Sequence, residues 1–159
     1  MYDLIIIGGG PSGYGCGMYA GRYRMKTLVI TPDIGGTLTK GHAIENYLGF
    51  ESIPGMELAK KFEKHVKAHE TIEFHNGVVD KVEKKGKGFV VHSGGKSFES
   101  KTMFLGMGMQ HKDLGVKGEE KFAGKGISYC YNCDAPFYKK KKVVVVGGGD
   151  SAVNGAVLL

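Results

Sequence analysis

The join between Leu4-Ile5-Ile6-Ile7 and Gly8-Gly9-Gly10-Pro11-Ser12-Gly13 constrains the fold of this chain more than any other stretch. Four consecutive apolar residues after Asp3 read as a strand, Tyr2–Ile7, buried on both faces. The glycines then fall in the order Gly8-x-Gly10-x-x-Gly13. The first suits a tight turn, the second lets backbone approach a pyrophosphate, and the third lets a helix pack on the strand. A helix fits from Pro11 to about Arg24, with Tyr14 and Met18 on one face, although Gly15, Gly17 and Gly21 weaken it. Lys26–Ile30 reads as a second strand. Strand, glycine turn, helix and strand make a βαβ unit, which predicts parallel strands and a helix N-terminus facing an anionic ligand. The ribose-binding acid of such units is either Asp33 or absent. Thr31 takes its usual place, and Asp33 comes two residues late, behind Pro32.

The device recurs at Gly147-x-Gly149-x-x-Ala152, preceded by Lys142–Val146, which reads as another buried strand. Two fingerprints imply two dinucleotides. Between them, the stretch after Thr31 is irregular, and Pro54-Gly55 introduces a helix to about Glu70 with Leu58, Phe62 and Val66 on one face. Ile72/Phe74, Val78-Val79/Val82, Phe89–Val91 and Phe98 read as an antiparallel meander with turns at Gly86–Gly88 and Gly94-Gly95. Thr102–Leu105 reads as a further short strand, ending at Gly106. The fold class is therefore α/β: a Rossmann-like unit with an inserted meander, followed by the start of a second Rossmann-like unit.

Cys130-Tyr131-Asn132-Cys133 carries the chemistry. Two intervening residues allow a small-ring disulfide in which one thiol attacks and the other resolves. Structural zinc is the alternative, but it wants four ligands, and neither Cys16 nor a nearby histidine pair supplies them. No metal is therefore expected. Asp134 is either a general acid beside the sulfurs or a turn or cap residue before Ala135-Pro136. Cys16 reads as a small buried helix residue. His65 and His69, four apart among Lys61, Lys64 and Lys67, read as a solvated face.

Composition narrows the classes. The 159 residues suit one domain or slightly more, and 42% hydrophobic with 24% charged residues argues against disorder. No apolar run exceeds four residues, so no membrane span is expected. The opening Met1-Tyr2-Asp3 lacks a basic leader, and three cysteines make no secreted disulfide scaffold; a cytoplasmic location follows as an expectation. The net charge of +6 permits an anionic partner, but Lys139–Lys142 has no aromatic interleaving beyond Tyr138, and no nucleic-acid role is expected.

Taken in order, Ile5–Gly13, Gly35-Gly36-Thr37-Leu38-Thr39, Ile44–Tyr47, Leu114–Val116, Gly118–Glu120, Gly126–Asp134 and Gly147–Ala152 resemble the low-molecular-weight thioredoxin reductases of the pyridine nucleotide-disulfide oxidoreductase group. The resemblance runs along the whole chain. It implies an FAD-binding part at 1–112 and the start of an NAD(P)-binding domain, carrying the CxxC, at 113–159. FAD would lie on Gly8, Gly10, Pro11, Ser12 and Gly13. Gly35, Gly36, Thr37, Leu38 and Asn46 would line the flavin, and Val79 the adenine. NADPH or NADH would lie on Gly147, Gly149, Asp150, Ser151 and Ala152. Cys133 would face the flavin, Cys130 would exchange with the disulfide of thioredoxin or a similar small dithiol protein, and Asp134 would be the acid.

Thr37 stands where the family usually has glutamine, and Gly106-Met107-Gly108 where it usually has Ala-Thr-Gly. The family chain is about twice as long, so these residues resemble its N-terminal half. They are expected to be inactive alone and to belong to a homodimer at full length. The alternatives are a peroxiredoxin-feeding flavoprotein disulfide reductase and a non-catalytic dinucleotide-binding remnant.

Overall fold

A computed structural model describes residues 1–159, which divide into two compact units, Met1–Met109 and Gln110–Leu159. The first unit is built on one six-stranded sheet. Its strands are β1 (Tyr2–Ile7), β2 (Thr27–Thr31), β3 (Ile72–Asn76), β4 (Val79–Lys85), β5 (Gly88–Ser93) and β6 (Lys96–Leu105), arranged in the order β3-β2-β1-β6-β5-β4. Helix α1 (Pro11–Arg22) connects β1 to β2, and α2 (Gly55–Lys67) precedes β3. As the βαβ reading predicts, β1 and β2 are parallel, with Ile5 opposite Leu28 and Ile7 opposite Ile30.

Two strand assignments in the first unit need correction. Ile72–Asn76 belongs to no meander; it pairs parallel with β2, Val29 opposite Phe74, and forms the sheet edge. The α2 crossover delivers it in that direction, as helical crossovers do for parallel strands. Thr102–Leu105 is likewise not a separate strand. It is the second half of β6, whose first half pairs antiparallel with β5 (Val91 opposite Phe98) and whose second half pairs parallel with β1 (Ile6 opposite Phe104).

This sheet explains why Leu4–Ile7 is apolar without alternation. Leu4 and Ile6 pack with Tyr14, Ala20, Val29, Val66 and Ile72 on the helical face. Ile5 and Ile7 pack with Leu28, Ile30 and Val91, and with Val79 and Phe98 of the antiparallel strands. Both faces of β1 are thus covered. In α2, Leu58 and Val66 are buried at the predicted spacing, while Glu57 and Lys61 pair one turn apart on the exposed face and Glu63, half-buried, pairs with Lys67. Cys16 is half-buried against the helical-face core, and burial raises its thiol pKa.

The second unit contains α3 (Glu119–Phe122), α4 (Tyr131–Tyr138) and α5 (Asp150–Leu158). Gly155 is buried, and a side chain there would press on the Tyr131 ring, so α4 and α5 meet closely at this point. Lys142–Val146 forms no strand, contrary to the expectation, and Val143 to Val146 are all exposed. A strand needs a neighbouring backbone for its N–H and C=O groups. No strand exists in 110–159 for this segment to pair with. No helix in the chain is long and apolar enough to cross a membrane.

Candidate functional site

In the first unit, the phosphate-type loop is fixed by backbone. Gly8 has φ +109°, a conformation that suits glycine, and a Cβ there would overlap the Gly106 carbonyl. A Cβ on Gly13 would overlap the Gly8 carbonyl, so the third glycine does set the approach of α1 to the turn. Gly10 differs: a Cβ there would meet nothing nearer than the Gly35 carbonyl oxygen at 4.0 Å. Its missing side chain opens space rather than relieving a contact. Pro11 begins α1, Gly10 supplies no side-chain cap, and the first turn holds no acid. Amides of a first helical turn lack intrahelical acceptors, so this end presents Ser12 and Gly13 N–H groups and positive dipole toward that space. The residues fit the pyrophosphate of a dinucleotide.

The loop is also tied to the segment after β2. Gly9 N–H donates to Thr31 Oγ1 at 3.0 Å, and Thr31 Oγ1 donates to the Asp33 carbonyl at 2.8 Å. Gly35 N–H returns to the Gly9 carbonyl at 2.8 Å. Thr31 is therefore a latch on the glycine loop, while the Asp33 side chain is exposed. Gly35 and Gly36 both have positive φ and start a 3-10 turn, Gly36–Lys40, that contains Thr37 and Leu38. Gly35 is buried against Ala59 of α2. Tyr14 reaches the same region, where burial pushes its hydroxyl pKa up to about 12. The Gly35 amide approaches that hydroxyl but donates to Gly9, and the hydroxyl has no hydrogen-bond partner. Asn46 is exposed, next to the loop carrying Tyr47, Leu48 and Phe50, and Val79 opens β4.

In the second unit, Cys130 and Cys133 form a disulfide. Cys130 is the N-cap of α4, and its Sγ accepts the Cys133 N–H at 3.3 Å. A helix N-terminus with an amide aimed at sulfur is a setting that favours thiolate. Asp134 lies in the first turn of α4. Its Oδ2 accepts from Ser128 Oγ at 2.5 Å, and Ser128 Oγ in turn accepts from Cys130 N–H at 3.1 Å. The carboxyl group proposed as acid is thus anchored beside the first sulfur-bearing residue. Gly147, Gly149, Asp150, Ser151 and Ala152 lie at the start of α5. Gly148 and Gly149 face open space, and Gly149 adds no side-chain cap. Asp150 places an acid in this first turn, which the first loop lacks. His65 and His69 stack at 6.1 Å between ring centroids, and no group of three or more His, Cys, Asp or Glu gathers as a metal site.

Glu119 lies in a stretch that carries the resemblance, but the sequence assigned it no role. It is buried, and its carboxylate accepts from Leu114 N–H (2.7 Å), Gly115 N–H (2.7 Å), Val116 N–H (3.3 Å) and the Tyr129 hydroxyl. The Tyr129 hydroxyl and these amides hold Glu119 below the ordinary carboxylate range, and the same bond pushes Tyr129 up to about 12. Tyr129 adjoins Cys130 and stacks on His111, with ring centroids 3.7 Å apart. A depressed folded-state pKa adds stability that is complete above the ordinary glutamate value of 4.5 and disappears as pH falls through the lowered one. Glu119→Gln turns an NH2 toward amide donors. It is expected to lower the thermal midpoint at pH 7 and to flatten the acid limb of a stability–pH curve. An unchanged acid limb would show that Glu119 is not the group responsible.

A parallel-sheet glycine-loop unit and a CxxC disulfide in one chain define an α/β dinucleotide-fold protein with a thiol–disulfide pair. The sequence model described as pyridine nucleotide-disulphide oxidoreductase matches residues 2–159, and the chain belongs to this family. It is similar to the thioredoxin reductase of Bacillus subtilis (strain 168), at 41% identity over 100% of this chain and 50% of that protein. The thioredoxin reductase of Mycoplasma genitalium is 40% identical over 100% of this chain and 51% of its own. The crystal structure of thioredoxin reductase from Streptococcus pyogenes MGAS5005 superposes with a TM-score of 0.83 at 39% identity, covering 99% of this chain and 51% of that one. The chain thus spans about half the length of the curated relatives it matches.

Proposed function

We propose that the chain is part of an FAD-dependent thioredoxin-disulfide reductase, in which electrons from NADPH or NADH reach thioredoxin or a similar small dithiol protein through Cys130 and Cys133. The observation that carries this reading is the Cys130–Cys133 disulfide at the start of α4, in one chain with an uncapped glycine cradle. Residues 1–112 are proposed as the FAD-binding part and 113–159 as the beginning of the nicotinamide-binding domain. A cytoplasmic homodimer is proposed for the full-length protein.

When bound, FAD supplies two-electron transfer between a nicotinamide and a disulfide. Gly10, Ser12 and Gly13 would hold its pyrophosphate, and the Thr31 latch keeps that loop in shape. In the exchange step, the Cys130 thiolate attacks a disulfide sulfur of the partner protein, and a mixed disulfide forms as the partner's second sulfur leaves. The Cys133 thiolate then attacks Cys130 Sγ, restoring the internal disulfide and releasing the reduced partner. Asp134 holds or gives the proton at the sulfurs.

The test combines the full-length protein with FAD, NADPH and oxidised thioredoxin. The expected result is a retained flavin and NADPH oxidation that depends on thioredoxin. Retained flavin with turnover on a peroxiredoxin-reducing partner alone would move the protein to the peroxiredoxin-feeding reductases. Absence of both flavin and turnover in a protein of the relatives' length would leave the non-catalytic alternative.

A further inference from the structure

We propose that Ser128 is the positioning residue of the redox pair, fixing the Asp134 carboxyl group against the sulfur-bearing end of α4. The proposal rests on the reading of Cys130–Cys133 as a redox disulfide. Ser128 Oγ makes two bonds at once: it donates to Asp134 Oδ2 at 2.5 Å and accepts the Cys130 N–H at 3.1 Å. Ser128 and Asp134 are both partly shielded from solvent. A hydroxyl uses one donor and one acceptor position in this way, so its orientation is fixed from both sides. Asp134 N–H also donates to the Cys130 carbonyl at 3.1 Å. The Cys130 peptide groups, the Ser128 hydroxyl and the Asp134 carboxyl thus form a closed ring of contacts.

Helix N-capping alone does not account for this ring. The cap position belongs to Cys130, whose own sulfur takes the Cys133 amide. Ser128 lies outside the helix, and its O–H is spent on the acid. Removing the hydroxyl leaves Asp134 on α4 but frees its side chain from the Cys130 end of the helix. Proton transfer depends steeply on such placement.

The chemistry served is thiol–disulfide exchange, which a small dithiol probes without any cofactor. A dithiothreitol thiolate attacks Cys130 Sγ, the Cys130–Cys133 bond breaks, and its electron pair goes to Cys133 Sγ, which takes a proton. The second dithiothreitol thiolate closes on the first sulfur and releases Cys130 Sγ, which is protonated in turn. Overall the reagent loses two electrons and two protons, and the protein disulfide gains them.

The experiment measures the rate of this reduction in the protein carrying Ser128→Ala, Ser128→Thr, Asp134→Asn, or Ser128→Ala with Asp134→Asn. Asp134→Asn is expected to slow reduction by about 10²–10⁴-fold, the worth of a general acid. Ser128→Ala is expected to slow it about tenfold, the kinetic equivalent of one charge-assisted hydrogen bond. Ser128→Thr, which keeps the hydroxyl, stays within about threefold of wild type. The double variant is no slower than Asp134→Asn alone, because Ser128 acts through the acid.

Additive losses in the double variant, a threonine variant as slow as alanine, or an unimpaired alanine variant would each overturn the assignment. Should alanine prevent folding, Ser128→Gly enters the same cycle. Exchange with dithiothreitol needs neither flavin nor thioredoxin, so failure of the reductase reading leaves this result standing. Conversely, intact thioredoxin reduction with no Ser128 effect rejects only the positioning role.

Discussion

In the full-length protein, Cys130→Ser and Cys133→Ser are each expected to abolish reduction of a protein disulfide, while Cys16→Ser leaves it near wild type. Only Cys130 and Cys133 are bonded to each other; Cys16 is alone on α1, packed against the core, with its thiol pKa raised by burial. The two redox variants should differ in one respect. With Cys133 replaced, Cys130 retains the α4 N-terminus and attacks a partner disulfide, but nothing resolves the product. A mixed disulfide should therefore accumulate and run as a larger species on a non-reducing gel. With Cys130 replaced, the remaining sulfur lacks the cap position, and trapping should be much weaker. Equal trapping by both variants would reject the division of roles. Full activity in both would remove the redox reading altogether.

The second large effect concerns the glycine loop. Gly8→Ala should destabilise the protein by about 3–5 kcal/mol, combining an unfavourable positive φ with a forced backbone overlap. The overlap is with Gly106, whose N–H is already bonded to the Ile7 carbonyl at 2.8 Å, so neither strand end yields freely. Such a loss is a large part of the stability of an ordinary domain. Gly15→Ala is the internal control. Gly15 is also in the glycine-rich first turns of α1, but a Cβ there meets nothing within 4 Å. That substitution should stabilise by about 0.5–1 kcal/mol through helix propensity and unfolded-state entropy. Urea unfolding of the two variants measures both. A Gly8→Ala protein as stable as Gly15→Ala would show that the tight contact relaxes without penalty.

These contrasts indicate what was readable from residues alone. The β1–loop–α1–β2 unit was legible because each glycine has a distinct steric task and the flanking apolar runs leave one topology. Ile72–Phe74 was misplaced because a short alternating strand reads alike in parallel and antiparallel settings. Only the position of α2 before it decides. Thr102–Leu105 looked separate because Glu99-Ser100-Lys101 interrupts the apolar pattern where β6 changes partners. Val143–Val146 has strong strand propensity but no pairing backbone, and propensity without a ladder is insufficient. At the site, the CxxC spacing announced the disulfide. Glu119 and Leu114–Val116 stand in stretches that carry the resemblance, but the role of the carboxylate was not legible, because three of its four partners are peptide N–H groups, which carry no residue identity. The role of Ser128, within the Gly126–Asp134 stretch, was equally illegible, since a hydroxyl's bonding partners are set by the fold and not by its spacing.

The divided pairing of β6 carries a kinetic consequence. Tyr2 is paired with Ser100 and Ile7 with Leu105, so the central strand of the sheet acquires its second neighbour only from residues made near the end of the first unit. During synthesis β1 can pair with β2 early, but its other edge stays open until β6 has emerged. Contacts of such sequence separation close slowly. In the interval Ile5 and Ile7 lack Val91 and Phe98 above them, and an unpaired apolar strand edge is a template for association with other chains. Polypeptides interrupted between β2 and β6 should therefore aggregate, whereas those extending past Leu105 should remain dispersed.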